Sequence, residues 1–310
     1  MKSFLSRKWK WRQHVGLFIT LALLGVPLGL SIKQARTPDR YAEGMEIYRE
    51  KGPEAAREYF HYYASRGDLP SQNGVAWLDY RNRDYQSAEY HATFVADEAQ
   101  RPIDKARACY LLGMIKKKSD DFDRAYYRFG EALTSYLADK DKLGAFRCRC
   151  ELAACRIWSG DPLSALEHLA KAEKELPSAS NLGVVRFYQS QAKWLLEEKD
   201  KALLLAKESV QLAEVHDPIF LPSALGELGQ QLMLTGDYEQ GKRMVDRALG
   251  LEADQYRRVF LKINLVIHAR CTGGEPGPIV DETREFLGEH PSSILEGLLN
   301  NALSVDCEQE

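Results

Sequence analysis

The chain has 310 residues, of which 45% are hydrophobic and 28% are charged. This composition is typical of a folded protein and excludes a disordered one. The net charge of -3 hides an asymmetry, because residues 1–35 contain basic but no acidic side chains, and residues 36–310 are strongly acidic. An acidic body gives no electrostatic basis for binding nucleic acid, so we expect no nucleic-acid partner.

The first element in chain order is an apolar segment that follows a basic flank. Residues 15–32 contain no charged side chain, and a helix of that length would span roughly 27 Å, close to the hydrocarbon thickness of a bilayer. The flank, residues 1–14, carries basic side chains and two tryptophans, which suit the headgroup level. The pattern predicts an uncleaved transmembrane signal anchor at 15–32. A cleaved signal peptide is the alternative, with Gly29 and Ser31 as the only plausible small pair at a cleavage site.

The charges on either side of this segment predict its orientation. The flank before it is more basic than the stretch after it, where Lys33, Arg36 and Arg40 are partly offset by Asp39. The positive-inside rule then places residues 1–14 in the cytoplasm and the body of the chain outside. The predicted localisation is therefore a single-pass membrane protein with an extracytoplasmic, periplasmic body. The reverse orientation is the alternative, and unpaired cysteines would favour it.

The body contains an internal repeat, visible when residues 111–133 are aligned with residues 227–249. In both segments a small residue is followed by an aromatic residue and then by two more small residues. These four positions are Gly113, Phe122, Ala125 and Ala132 in the first segment, and Gly229, Tyr238, Gly241 and Ala248 in the second. Weaker copies share this spacing. Small residues on facing helices let two backbones approach, and Gly-Asp-aromatic tripeptides supply the turn. The sequence therefore predicts helical hairpins that stack into a solenoid.

This pattern resembles the tetratricopeptide repeat (TPR) family, whose usual period is about 34 residues. The resemblance covers residues 38–254, and residues 255–310 are predicted to form a degenerate hairpin, a capping helix and an acidic tail. The predicted fold class is all-α: a TPR-type α-solenoid of about six to seven hairpins, preceded by one N-terminal transmembrane helix.

The resemblance implies a non-catalytic scaffold whose concave groove is lined by the first helix of each hairpin. Aromatic and basic side chains fall at the groove positions: Tyr48, Trp77, Tyr80, Arg81, Arg107, Tyr110, Met114, Lys117 and Arg147. Such side chains anchor many interfaces, so we expect protein partners that present peptides or helices with apolar and acidic residues. The alternative is that several of these residues only pack helix against helix. A chaperone-type carboxylate clamp is not expected, since only Asn73 is compatible with one.

No enzyme, metal or cofactor motif is present, so we expect no catalysis and no cofactor. Cys148, Cys150 and Cys155 share one predicted helix at spacings that disfavour bridging, whereas a bridge between Cys109 and Cys148 stays open. The predicted function is a membrane-tethered scaffold for envelope assembly or secretion. The alternatives are a cytoplasm-facing receptor or adaptor, a secreted TPR protein if residues 1–31 are removed, and an enzyme with an unrecognised site.

Overall fold

A computed structural model describes residues 39–305 and Cys307. This part of the chain forms 15 α-helices and no β-strand, which confirms the predicted all-α class. The helices are α1 (Arg40–Lys51), α2 (Pro53–Ala64), α3 (Leu69–Arg81), α4 (Tyr85–Glu98), α5 (Pro102–Lys118), α6 (Phe122–Asp139), α7 (Lys142–Trp158), α8 (Pro162–Glu175), α9 (Ala179–Leu195), α10 (Lys199–His216), α11 (Leu221–Leu234), α12 (Tyr238–Leu251), α13 (Gln255–Cys271), α14 (Gly277–Glu289) and α15 (Ser293–Ser304).

The predicted localisation in a membrane is wrong for the part of the chain that the structure describes. Within these residues no helix is both long and apolar enough to cross a bilayer. The apolar helix α11, for example, has only 14 residues and includes Glu227, whereas a span needs about 20 predominantly apolar residues. The anchor predicted at residues 15–32 lies outside the described residues.

The turns inside the hairpins explain the Gly-Asp signature of the repeat. An aspartate at the N-cap of each of four second helices accepts a hydrogen bond from the backbone N–H three residues later; these are Asp84, Asp121, Asp161 and Asp237. The residue before each capping aspartate has a left-handed backbone, with φ of 76° at Gly160 and 90° at Gly236. Glycine adopts this conformation at no steric cost, and the aspartate caps a helix that would otherwise begin with unpaired N–H groups.

Glycines on the first helices are the points where the second helices pack most closely. In the hairpin of α5 and α6, the ring of Phe129 fills the space beside Gly113, where a β-carbon would lie 2.7 Å from the ring. In the hairpin of α11 and α12 the backbones themselves meet, because a β-carbon on Gly229 would lie 2.8 Å from the carbonyl oxygen of Gly241. The small residues of the repeat are therefore contact points between helices, as the aligned sequences predict.

The described chain divides into two compact units, and the division falls within α3 after Gly74. In the first unit the ring of Phe60 is fully buried and occupies the space beside both Gly44 and Gly74. The second unit begins at Val75 and continues through α15. Its largest core cluster joins α10 to α15 and includes Leu225 and Leu295, both fully buried.

One disulfide bond closes the C-terminal end of the second unit. Cys271, the last residue of α13, is bonded to Cys307, and their Cα atoms are 5.1 Å apart. The other four cysteines are free thiols buried in the helical core, so the bridge left open between Cys109 and Cys148 is not formed. Burial raises the pKa of Cys109 to about 11 and that of Cys155 to about 12, which keeps both thiols protonated at neutral pH.

Candidate functional site

Polar side chains recur on the successive first helices α5, α7, α9 and α11 of the second unit, and together they form a polar row. Lys117 on α5 makes an ion pair with Glu151 on α7. Further along, Gln191 on α9 donates a hydrogen bond of 2.8 Å to Glu227 on α11. Two tyrosines, Tyr110 and Tyr188, complete the row beside Glu151. Burial raises the pKa of both phenols well above the ordinary value, and the nearby Glu151 carboxylate raises it further.

A cavity of about 910 Å³ opens where α3 and α5 face the C-terminal helices. Its walls combine aromatic, cationic and acidic side chains. From α3, α5 and the turn after α3 they are Tyr80, Arg81, Arg83, Met114, Lys117 and Lys118, and from the C-terminal part of the unit they include Glu252, Asp254, Tyr256, Arg257, Glu289, His290 and Ser292. Residues distant in sequence therefore share one cavity within the second unit.

The turn after α5 contacts the start of α15 directly, beside the cavity residues Lys118 and Ser292. The Asp120 carboxylate accepts hydrogen bonds from the Ser293 hydroxyl and from the backbone N–H of Ile294, the latter at 3.2 Å. Because these groups lie at the N-terminus of a helix, the negative charge of Asp120 is also stabilised by the helix dipole. Next to this contact, the Lys118 ammonium lies 4.2 Å from the centre of the Tyr256 ring.

Four residues that the sequence places on the groove line this cavity together: Tyr80, Arg81, Met114 and Lys117. A fifth, Tyr110, belongs to the adjacent polar row, and its ring also packs edge-on against Phe129 with centroids 5.4 Å apart. Tyr110 therefore packs helix against helix, and its role in binding stays a prediction.

The remaining four predicted groove residues lie elsewhere. The Trp77 ring is approached by the Arg81 guanidinium at 5.6 Å, and Arg107 lies 3.8 Å from Asp104 within the first turns of α5. Arg147 is exposed on α7. Tyr48 belongs to the first unit, where its carbonyl accepts a hydrogen bond from Gly52 at the end of α1. Their role in binding stays a prediction.

Sequence reasoning missed the C-terminal wall of the cavity and the buried carboxyl group in the polar row. Asp254 and Tyr256 lie in the stretch where the repeat pattern becomes weak, so no spacing pointed to them. Glu227 is 7% exposed and accepts hydrogen bonds from Gln191 and Gln231. A glutamate with one glutamine four residues later on the same helix and another on the preceding first helix is the one sequence signal that would have indicated this cluster.

The buried carboxyl of Glu227 predicts a pH-dependent stability. Burial raises its pKa above the ordinary value, so the folded chain retains a proton that the unfolded chain has lost. Stability therefore falls as the pH rises through the interval above the unfolded pKa. Glu227→Gln removes this proton linkage, and we expect its thermal midpoint, relative to that of the wild type, to increase between about pH 4 and about pH 8. A difference that is constant across this range would contradict the assignment.

Comparisons with known proteins place this architecture among solved structures. No protein-family model matches the chain, and no curated protein matches it. A Rap protein complexed with competence and sporulation factor superposes with a TM-score of 0.66 at 15% identity, covering 83% of this chain and 76% of that one. The apo form of the quorum sensor NprR from B. thuringiensis gives 0.62 at 11% identity, covering 92% and 86%. NprR in complex with its cognate peptide NprX gives 0.55 at 12% identity, covering 85% and 81%. These similarities confirm a TPR-like helical-repeat fold.

Proposed function

We propose that this protein is a non-catalytic binding protein that holds a peptide, or a short segment of a protein partner, in the cavity between α3, α5 and the C-terminal helices. The observation that carries the proposal is the cavity itself. It brings Tyr80, Met114 and Tyr256 together with several cationic side chains from distant parts of the second unit. Its volume falls within the range of sites that enclose most of a small ligand.

The chemistry of the walls suits a peptide. Aromatic rings offer broad apolar contact at low cost in conformational entropy, because few rotatable bonds are immobilised, and the flexible methionine adapts its shape to the ligand. Cationic and hydroxyl side chains of the walls, such as Arg83 and Ser292, add hydrogen-bonding groups beside these apolar surfaces. An extended chain has backbone N–H and C=O groups along its length, to which such side chains can hydrogen-bond.

Two of the similar structures contain a bound partner, since NprR is in complex with its cognate peptide NprX and the Rap protein is complexed with competence and sporulation factor. At 15% and 12% identity they support peptide binding here only through the shared architecture. The buried cysteines support the non-catalytic part of the proposal. A cysteine acts as a nucleophile in its thiolate form, and burial raises the pKa of free thiols such as Cys109, which keeps them protonated.

A selection from a synthetic random-peptide library tests the proposal with the full chain as bait. Met114→Trp adds bulk inside the cavity. We expect it to raise the Kd of the recovered peptides by about tenfold or more, and tenfold corresponds to about 1.4 kcal/mol of binding free energy. Tyr127→Trp is the matched control, because Tyr127 is 63% exposed on the second helix α6, and its affinity should stay unchanged. Fluorescence anisotropy measures both, and circular dichroism checks that each variant is folded.

Two results would contradict peptide binding in this cavity. One is that the library yields no binding peptide for the folded wild-type chain. The other is that recovered peptides bind Met114→Trp as tightly as the wild type, which would move the binding surface to another part of the protein.

A further inference from the structure

The cavity contains more cationic charge than its own carboxylates neutralise. Two of its cations are paired, since Lys117 contacts Glu151, and Arg257 lies 3.5 Å from Glu252. The other three, Arg81, Arg83 and Lys118, form no ion pair with any residue in the described part of the chain. Arg81 and Lys118 instead approach aromatic rings.

The carboxylates of the cavity are largely engaged at the start of α13. Asp254 caps that helix by accepting from the backbone N–H of Arg257, and Glu252 accepts from the backbone N–H of Asp254 at 2.9 Å. Glu289 is exposed and is the one cavity carboxylate without a hydrogen bond or ion pair among the described residues. Asp254 and Glu289 are therefore the two cavity carboxylates without an ion pair among the described residues, and the three unpaired cations outnumber them, which leaves an excess of positive charge.

Like charges oppose one another at this site. Partial burial by the cavity walls lowers the pKa of Lys118, although its side chain keeps contact with solvent. The positive charges of Lys117, Arg83 and Arg257 lower this pKa further, whereas the negative charge of Asp254 raises it. A group of cations that disfavour one another's charge is stabilised when an anion enters among them. The excess charge lies at the cavity, although the body of the chain is acidic overall.

We infer that the segment bound in this cavity presents a carboxylate to Arg81, Arg83 and Lys118, with an apolar side chain beside it against Met114 and Tyr256. This inference rests on the proposed peptide-binding function and specifies the chemistry of the ligand. Guanidinium groups match the planar geometry of a carboxylate, and the lysine adds a third positive charge. Nucleic acid fits less well, because its phosphates form long arrays and the acidic body would repel them.

The carboxylate can come from an acidic side chain or from the C-terminus of the peptide, and the test separates the two. Peptides recovered from a random-sequence library with free C-termini are resynthesised in two forms. One form has Asn and Gln in place of Asp and Glu, and the other has an amidated C-terminus. We expect one of these changes to weaken binding by about tenfold or more, as for loss of a charge-assisted hydrogen bond.

Matched charge variants locate the effect on the protein. The cavity variant combines Arg81→Gln, Arg83→Gln and Lys118→Met, and should lose about tenfold or more in affinity together with most of the salt dependence. The control variant combines Lys171→Gln, Lys174→Gln and Lys207→Gln, which removes the same charge from exposed positions on the second helices α8 and α10. The control should bind within about twofold of the wild type.

The outcomes distinguish the inference from the function on which it rests. If peptides bind and Met114→Trp abolishes binding, but neither resynthesised form nor the cavity charge variant weakens it, carboxylate recognition is wrong and the cavity still binds peptides. Binding of a single-stranded oligonucleotide that is tighter than that of the recovered peptides would also overturn it. If the library yields no binding peptide, the proposed function itself fails.

Discussion

Replacing Gly241 by alanine is expected to lower the free energy of unfolding by about 2–4 kcal/mol. A β-carbon at this position would lie 2.7 Å from the carbonyl oxygen of Gly229 and 2.5 Å from the side chain of Met233. Backbone atoms cannot rotate away, so α11 and α12 must separate, and both Met233 and Val245 lose packing in the core. Chemical denaturation followed by circular dichroism measures the loss.

Gly250 provides the control for this experiment within the same helix. It has no other group within 4 Å of an added β-carbon, so alanine fits there without strain. Gly250→Ala should stabilise the protein by about 1 kcal/mol, because alanine favours the helical backbone. The two substitutions are expected to change the free energy of unfolding in opposite directions, and this difference tests whether α11 and α12 are in close contact. Equal effects at Gly241 and Gly250 would show that α11 and α12 are not packed backbone to backbone.

Loss of the bond between Cys271 and Cys307 is expected to cost about 2–4 kcal/mol, as for loops of similar length. The bond ties the segment after α15 to the end of α13, so its removal should loosen α15 and the cavity wall at Ser292. We expect faster hydrogen exchange in α13 and α15 after Cys307→Ser, and weaker binding of peptides recovered from the random library.

Reductant supplies the control for the disulfide. It should lower the thermal midpoint of the wild type but leave that of Cys307→Ser unchanged, because the other four cysteines are already free thiols. Thiol labelling of the denatured, unreduced chain should modify those four cysteines only. Labelling of all six cysteines, in protein that was never reduced, would show that the bond is absent.

The hairpins could be predicted from the sequence because their determinants are local. Gly113 and Ala125 in one copy, and Gly229 and Gly241 in another, recur at a spacing that brings two adjacent helices into contact. The turns were also readable, since a glycine followed by Asp161 or Asp237 combines a left-handed residue with a helix cap. The TPR-like fold follows from this repeated short-range pattern.

The cavity could not be predicted in the same way, because its two walls come from opposite ends of the second unit. Lys118 contacts Tyr256 only because of how the intervening hairpins stack on one another, and no local pattern in the sequence encodes that stacking. Cysteine spacing likewise cannot pair Cys271 with Cys307, since several pairings satisfy the same sequence. The membrane localisation failed because it depended on a segment outside the described residues, whereas the described helices are too short or too polar to span a bilayer.

The contact between Asp120 and the start of α15 has a consequence for how the protein folds. Stacked repeats ordinarily gain stability from nearest neighbours only, so hairpins at one end can unfold while those at the other stay ordered. A ligand that contacts both Lys118 and Tyr256 would couple the two ends, so that opening any hairpin between them also costs binding free energy. Because Asp120 already joins the two ends, the second unit is expected to unfold more cooperatively than an open array, and a bound ligand would increase that cooperativity. Only a completely folded second unit presents both walls, which makes binding a readout of its assembly.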